Sequence, residues 1–369
     1  MAERQTLHIL TRAQIASANP YAAWEDPDGL AAINPRKMAA LFANPSLGGD
    51  GDPMQIIGTL GNRVVGRIDL VPCQIVVRGV PTRVFYGSDL FVPEQFRGSL
   101  MGVMLILKAQ GVHETVGASG PSQIATAIYE KLKWFDIPLA RFIMLRNSRP
   151  VVQRYYGDRV GLGLLAALAN GALGVHRGLL ALWNGPRLSG FRCSAAETLP
   201  AEAVALLDSP GRPVRGARSA AWIDWVLKHA FSDDPQRAHE LFLVRDRQER
   251  LLGYFVLKTR FYPVATHRDF KNVLLGSLQD WRIFDEKILG LRDVVLLATR
   301  ELVQRRVDAV EICLQDPARA GPLRPLGFVR VGSMHMLFKA GPKSPLAEAE
   351  LQKPEAWDLR PADGESVFG

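Results

Sequence analysis

The chain has 369 residues, 47% of them hydrophobic and 22% charged, with a mean hydropathy of +0.02. That composition excludes a disordered, collagen-like or fibrous protein, and at about 150 residues per domain the length suggests two domains, each able to bury a core unaided. The net charge of +8, from 45 Lys and Arg against 37 Asp and Glu, contains no run of five basic residues, so nucleic acid is not expected as a partner, whereas phosphates, CoA-like cofactors and anionic lipid headgroups are.

The start, Met1-Ala-Glu-Arg-Gln, lacks the apolar core of a signal peptide, and a cytoplasmic location is expected. Thr6–Leu10 reads as a strand. Asn34-Pro35 is an N-cap followed by proline at the first helical position, leading a helix through Ala43. Residues 46–53 form a turn-rich loop, and Met54–Leu60 and Val64–Val71 make a hairpin joined by Gly61-Asn62-Arg63. Cys73–Val77 prolongs its second strand, Gly79 turns the chain, and Arg83–Val92 is a long third strand. Ser99–Gln110 has helical periodicity, Glu114–Ala118 reads as a strand, Ser122–Lys133 as a helix and Ala140–Arg146 as a closing strand.

Residues 160–175 carry no charge, and the apolar character continues to Trp183. A bilayer span needs about 20 apolar residues, so this short, glycine-rich stretch is expected to be a helical connector between the domains. Peripheral contact with the inner face of a membrane, over residues 160–183, is the alternative. The earlier order then repeats loosely. Helix Ala220–Ala230 precedes strands Leu241–Arg245, Leu251–Thr259 and Val273–Trp281. Helix Leu291–Arg306, strand Ala309–Cys313, short helix Ala318–Leu326 and strand Val329–Phe338 follow. Beyond Ala340 the acidic, proline-containing tail is expected on the surface or disordered. Cys73, Cys193 and Cys313 lie 120 residues apart with no Cys-x-x-Cys, which argues against a disulfide framework or a metal site. The fold class expected is α+β: two domains of one architecture, each a twisted mixed sheet flanked by helices.

The stretch richest in chemistry is Phe91-Val-Pro-Glu-Gln-Phe-Arg97-Gly98-Ser99-Leu100-Met101-Gly102, a strand end running through a glycine loop into a helix. The first backbone N–H groups of such a helix are unpaired and point outward at the positive end of its dipole. With Arg97 alongside, this is an anion cradle suited to pyrophosphate. No Gly-Lys-(Ser/Thr) occurs in the loop and no G-x-G-x-x-G follows the first strand, which disfavours an NTPase or a Rossmann enzyme.

Here the sequence resembles the GNAT superfamily of acyl-CoA-dependent N-acyltransferases, whose signature is (Arg/Gln)-x-x-(Gly/Ala)-x-(Gly/Ala) after a long fourth strand. Arg97 and Gly102 fill its ends, and Leu100 stands where a small residue is usual. Ser122-x-x-Ala125-x-x-x-Tyr129-x-x-x-Lys133-Trp134 resembles a second family element, Asn-x-x-Ala-x-x-x-Tyr-x-x-x-Gly-Phe. Pro325-Leu-Gly327-Phe328 is similar to the family's closing segment, though Leu323 replaces the tyrosine and residues 282–292 contain no cradle. The resemblance implies a tandem arrangement. Residues 1–150 would be catalytic and 151–190 a connector. Residues 191–340 would be a degenerate copy shaping the acceptor site, with 341–369 as tail.

It also implies direct acyl transfer, most simply of acetyl, from acyl-CoA to a small-molecule or peptide amine, with no metal. Leu90, Phe91, Val92, Arg97, Gly98, Ser99, Leu100, Met101, Gly102 and Ser122 would hold the cofactor. Tyr129 would protonate the leaving thiolate, backbone N–H groups near Leu90–Val92 would meet the oxyanion, and Asp89 or Glu94 would take the amine proton through a water. His113 and His335 are further candidates, read as structural. The alternatives are a transferase using long acyl chains or an acyl carrier protein, and a non-catalytic binding protein that keeps the fold.

Overall fold

The computed structural model describes residues 4–156, 162–207, 211–229, 238–263 and 272–364. The chain opens with β1 (Gln5–Thr11), α1 (Arg12–Ile15), α2 (Pro35–Phe42), β2 (Pro53–Leu60), β3 (Arg63–Val77) and β4 (Val80–Phe91). A 3-10 turn over Glu94–Ser99 leads to α3 (Met101–Gln110), β5 (Thr115–Ser119), α4 (Gln123–Lys131), β6 (Phe135–Asp136) and β7 (Leu139–Leu145). Next come α5 (Arg149–Tyr156), α6 (Leu162–Leu188), β8 (Phe191–Ala196), α7 (Ala201–Leu206), β9 (Val214–Gly216) and α8 (Ala220–Lys228). The last part holds β10 (Ala238–Asp246), β11 (Leu251–Tyr262), β12 (Val273–Ile283) and α9 (Leu291–Gln304). It closes with β13 (Ala309–Leu314), β14 (Val329–Met334), β15 (Met336–Ala340) and β16 (Trp357–Asp358).

Local signals account for most of these elements. Asn34 caps α2 by accepting from the Arg36 N–H at 2.9 Å, with Pro35 at the first helical position. Arg78 and Gly79 both have positive φ, the pairing that a tight β3–β4 hairpin requires. The segment expected as helix over Ala318–Leu326 is instead a 3-10 helix, Pro317–Leu326, because Pro322 and Pro325 remove the donors that an α-helix needs.

The chain divides into two compact units that cross the linear bounds expected from sequence. The first comprises residues up to Pro138, Gly211–Ala217 and everything from Met334 onward; the second comprises Leu139–Pro210 and Arg218–Ser333. In the first unit the sheet runs β1-β2-β3-β4-β5-β15-β6, with β9 on β3 and β16 on β9. In the second the order is β14-β7-β13-β12-β11-β10-β8. In each sheet one central pair is parallel, β4 with β5 and β12 with β13, and in the first the short β16 also pairs with β9 in parallel. Each sheet also takes a strand from the other part of the sequence. β7 pairs with β13 in the second unit, and β15 pairs with β5 in the first. The strand expected over Val329–Phe338 is therefore two strands, Val329–Met334 and Met336–Ala340, that part at His335.

The tail is neither loose nor superficial. Leu346, Leu351, Trp357 and Leu359 are fully buried in the first unit. The Trp357 ring lies 4.5 Å from Phe338 of β15 and its Nε1 donates to the Leu351 carbonyl at 2.6 Å. These four apolar side chains offset the prolines and acids that made the segment look solvated. The first unit's core otherwise centres on Ile56, Ile68, Phe85, Met101, Leu105 and Tyr129. The second unit's centres on Phe242, Phe255, Trp281, Leu297 and Leu302.

α6 lies within the stretch 151–190 expected as connector, and its leucines are mostly exposed rather than packed. It is the one helix among the described residues long and apolar enough to cross a membrane by length and composition.

Candidate functional site

The site belongs wholly to the first unit. β4 and β5 pair in parallel only at Phe85↔Val116 and Tyr86↔Gly117; beyond that β4 continues to Phe91 and the two strands part. On its other edge β4 carries a bulge. Asp69 of β3 faces Ser88 and Arg67 faces Phe91, so Asp89 and Leu90 are extra residues opposite Ile68. Asp89 adopts φ +48°, the left-handed conformation that takes up the bulge. A bulge departs from the regular ladder, so here the end of β4 is not held in continuous pairing on either edge.

At the mouth of this opening the chain turns through Glu94–Ser99 into α3. Leu100 sits at φ +62° with its side chain mostly exposed. That conformation explains why the related signature favours a small residue there: glycine reaches it without steric cost, whereas leucine is strained. The side chain points outward, so it does not fill the loop. No side chain caps α3, and the Leu100 carbonyl already accepts from Met104, leaving the first N–H groups of the helix for an anion. Nothing lies within 4 Å of a Cβ built at Gly98, and one at Gly102 would meet only Val92 at 3.8 Å. Arg97 is exposed, tethered by its Nε to the Val92 carbonyl at 3.3 Å. Ser99 spends its hydroxyl on the Phe96 carbonyl, Met101 is buried in the core, and Phe91 is exposed at the strand end.

Tyr129, on α4, is 3% exposed, its ring centroid 4.5 Å from that of Trp134 with the planes tilted by 60°. Its hydroxyl lies 3.8 Å from where a Cβ on Gly87 would be, which sets the phenol over β4 two residues before the bulge. Ser122 uses its Oγ to cap α4 by accepting from Ala125 N at 3.3 Å. Glu94 is exposed at the start of the 3-10 turn.

The sequence reading missed Lys37. Its Nζ is held by Asp69 Oδ2 at 2.7 Å, Asp89 Oδ2 at 2.6 Å and Ser88 Oγ at 3.0 Å. Gln55 completes the group by donating to Asp69 Oδ1 at 3.0 Å. Burial, the largest single influence, pulls the Lys37 ammonium down. The combined attraction and hydrogen bonds of Asp69 and Asp89 outweigh it, so its proton is held more tightly than an ordinary lysine's. One side chain from α2 thus pins the bulge that aims Asp89. Lysine on an exposed-looking helix gives no sign of this in sequence; only the β3–β4 register brings the two aspartates together. The Asp89 carboxylate keeps its Oδ1 outside these bonds and is half exposed.

The two histidines differ. His113 Nδ1 bonds the Thr115 backbone at 3.1 Å and its ring packs on Phe85, a structural role. His335 Nδ1 meets Asp136 Oδ2 at 2.7 Å, and its carbonyl accepts from Gly120 N, so this half-exposed pair stands at the far end of β5. An open groove of about 650 Å³ in the same unit, lined by His8, Leu10, Ala13, Asn19 and Trp24, shares no residue with this cluster. Among the described residues no group of three or more His, Cys, Asp or Glu side chains is placed to hold a metal.

The second unit repeats the plan, parted pair included: β12 bulges at Gln279, pairs with β13 only through Leu278 and continues to Ile283. Asp280 next to that bulge is buried between Arg218 at 2.7 Å and Tyr254 at 3.0 Å. The start of α9 is filled by its own acid: Asp293 Oδ2 accepts from Gly290 N at 2.9 Å while Arg187 grips the same carboxylate. A carboxylate seated at a helix N-terminus excludes a phosphate from it.

Neither a protein-family profile nor a curated protein sequence matches the chain. Solved structures do. Saccharomyces cerevisiae N-myristoyltransferase with bound myristoyl-CoA is similar over 92% of this chain and 80% of its own, at 13% identity and a TM-score of 0.54. A tandem GNAT protein from the clavulanic acid biosynthesis pathway covers 92% and 100%, at 15% identity and 0.50. A GCN5-related N-acetyltransferase from Anabaena variabilis covers 91% and 73%, at 11% identity and 0.52. The fold is therefore the tandem GNAT arrangement, two mixed sheets flanked by helices.

Proposed function

We propose that the chain is an N-acyltransferase that moves an acyl group from a CoA thioester directly to an amine. The observation that carries this reading is the opening between β4 and β5, flanked by the bulge at Asp89–Leu90 and by the uncapped start of α3. The N–H groups at that start, with Arg97, suit the pyrophosphate of the donor. The residues present fit such a donor: the loop has glycines at 98 and 102 and no acid among residues 95–104. The neighbouring folds support the same class, one holding myristoyl-CoA and others named as N-acetyltransferases.

In this reading the amine attacks the thioester carbonyl and loses its proton to Asp89 Oδ1 through a water. Lys37 keeps that carboxylate aimed. Backbone N–H groups of the bulge meet the oxyanion, and Tyr129 gives its phenolic proton to the departing thiolate. Acetyl is the acyl group we favour, because Ile68 and Tyr129 crowd β4 at Gly87. The acceptor is a small-molecule or peptide amine. A second reading of the base rests on the 2.7 Å His335–Asp136 pair, built as an oriented imidazole is.

Calorimetric titration with acetyl-CoA and a long-chain acyl-CoA, followed by thiol release with a panel of amines, tests the proposal. Arg97→Ala should weaken donor binding about 10- to 100-fold, the worth of one charged hydrogen bond. Tyr129→Phe should lower kcat about 100-fold or more with binding retained. Asp89→Asn inactive with His335→Gln active supports Asp89, and the reverse supports His335. Absence of binding by either acyl-CoA would overturn the donor assignment.

A further inference from the structure

α6 is built inside out. Leu164, Leu168, Val175, Leu179, Leu182 and Trp183 fall within about 100° of arc at helical spacing, and all are exposed, Leu182 by 77% and Trp183 by 83%. The opposite face packs Ala166, Leu180 and Leu188 against the rest of the second unit and carries the helix's polar anchors. Asn170 Oδ1 accepts from Ser148 N at 2.7 Å, and Arg177 Nη1 donates to the Arg146 carbonyl at 3.0 Å. Asn184 Oδ1 accepts from Arg292 at 2.9 Å, and Arg187 grips Asp293 through two hydrogen bonds. Water is a poor partner for such a stripe, and an ordinary surface helix has the opposite polarity.

Charge says what covers it. Residues 139–196 hold eight arginines (141, 146, 149, 154, 159, 177, 187 and 192), no lysine and one acid, Asp158. Eight minus one is +7 in 58 residues, against +8 for the whole chain. Arg146 and Arg177 lie close enough that burial and mutual repulsion bring the Arg146 guanidinium down to about 10. A second copy of this segment would meet its own charge, so a self-complementary interface is disfavoured.

We infer that α6 is a monotopic anchor that lies flat on an anionic lipid bilayer, its leucine stripe in the acyl boundary and the net positive charge of the segment drawing it to the headgroups. Trp183 sits within the stripe, where interfacial tryptophans anchor. The hydrogen bonds from Asn170 through Arg187 hold the opposite face to the protein along the helix, which fixes it parallel to the surface and not across it.

The test is flotation of the full-length protein with phosphatidylcholine vesicles, with and without a third of phosphatidylglycerol. The expected result is co-flotation with the anionic vesicles, at least about tenfold less with the neutral ones, and a comparable loss in Leu168→Asp/Leu182→Asp. Val80→Asp, an exposed apolar site of the first unit, should bind as the parent does. Quenching by brominated acyl chains, reduced in Trp183→Phe, gives a second readout should the double variant misfold. Four results would overturn the inference: no flotation with either vesicle, equal binding by the double variant, attachment that resists alkaline carbonate as a spanning helix does, or a vesicle-free dimer that the double variant dissolves.

Discussion

Lys37→Met removes the ammonium that, among the described residues, is the one ion-pair partner of Asp69. The Lys37 and Asp69 side chains are 7% and 0% exposed, so their 2.7 Å pair is a buried one. Breaking such a pair by deleting one partner costs about 3–5 kcal/mol, chiefly because the remaining charge stays buried. The arm to Asp89, 52% exposed, adds at most about 1 kcal/mol after solvent screening. The expected loss is thus about 3–5 kcal/mol for the first unit, with a fall in its melting temperature of about 10 °C. Asp69→Asn added to Lys37→Met should recover about 2 kcal/mol, since the orphaned charge is gone. Folding holds the Lys37 proton more tightly than the unfolded chain does. Its contribution is therefore complete below the unfolded value of about 10.4 and fades as pH rises through the higher folded one. Urea melts of the parent and the two variants between pH 7 and 11 check all of this. A Lys37→Met variant within about 0.5 kcal/mol of the parent would refute the argument, because it would mean that no buried charge was left uncompensated.

Leu100→Gly should stabilise the first unit by about 0.5–1 kcal/mol, since it relieves the left-handed strain and forfeits little burial; a thermal melt decides, and a lower midpoint would refute it. Trp357→Ala should cost about 3–5 kcal/mol, and limited proteolysis should then release the segment after Ala340, whereas an unaltered digest would contradict its place in the core. The Cys193 thiol is pushed up to about 12 by burial, with Glu301 adding to it, and burial drives Cys313 well above the ordinary range. Both should resist alkylation by iodoacetamide at neutral pH until the chain unfolds; rapid labelling of either in the native protein would contradict this.

Much of the fold is legible in sequence because local physics sets it. Asn34-Pro35 starts α2, Gly61 and Gly79 turn the hairpins, and the periodicity of 99–110 and 122–133 marks the helices around the opening. The glycine loop and the uncapped start of α3 were legible for the same reason: Arg97, Gly98 and Gly102 are neighbours in the chain, and their geometry is a matter of the local backbone. Leu100 read as a departure from a pattern, and the structure supplies the cause in its positive φ.

What stayed hidden depends on partners far apart in sequence. Lys37 meets Asp69 and Asp89 across 32 and 52 residues, and no periodicity marks a lysine for burial. The run 329–340 has one apolar pattern, yet its halves pair with different strands, a choice that belongs to the sheet edges available and not to the run itself. The tail's composition suggested solvent, but four apolar side chains find a core. Composition also showed that residues 160–183 are apolar without showing which way they face. That was decided where Asn170, Arg177 and Asn184 found hydrogen-bond partners and Leu180 and Leu188 packed on the core of the second unit, which leaves the other leucine stripe facing outward.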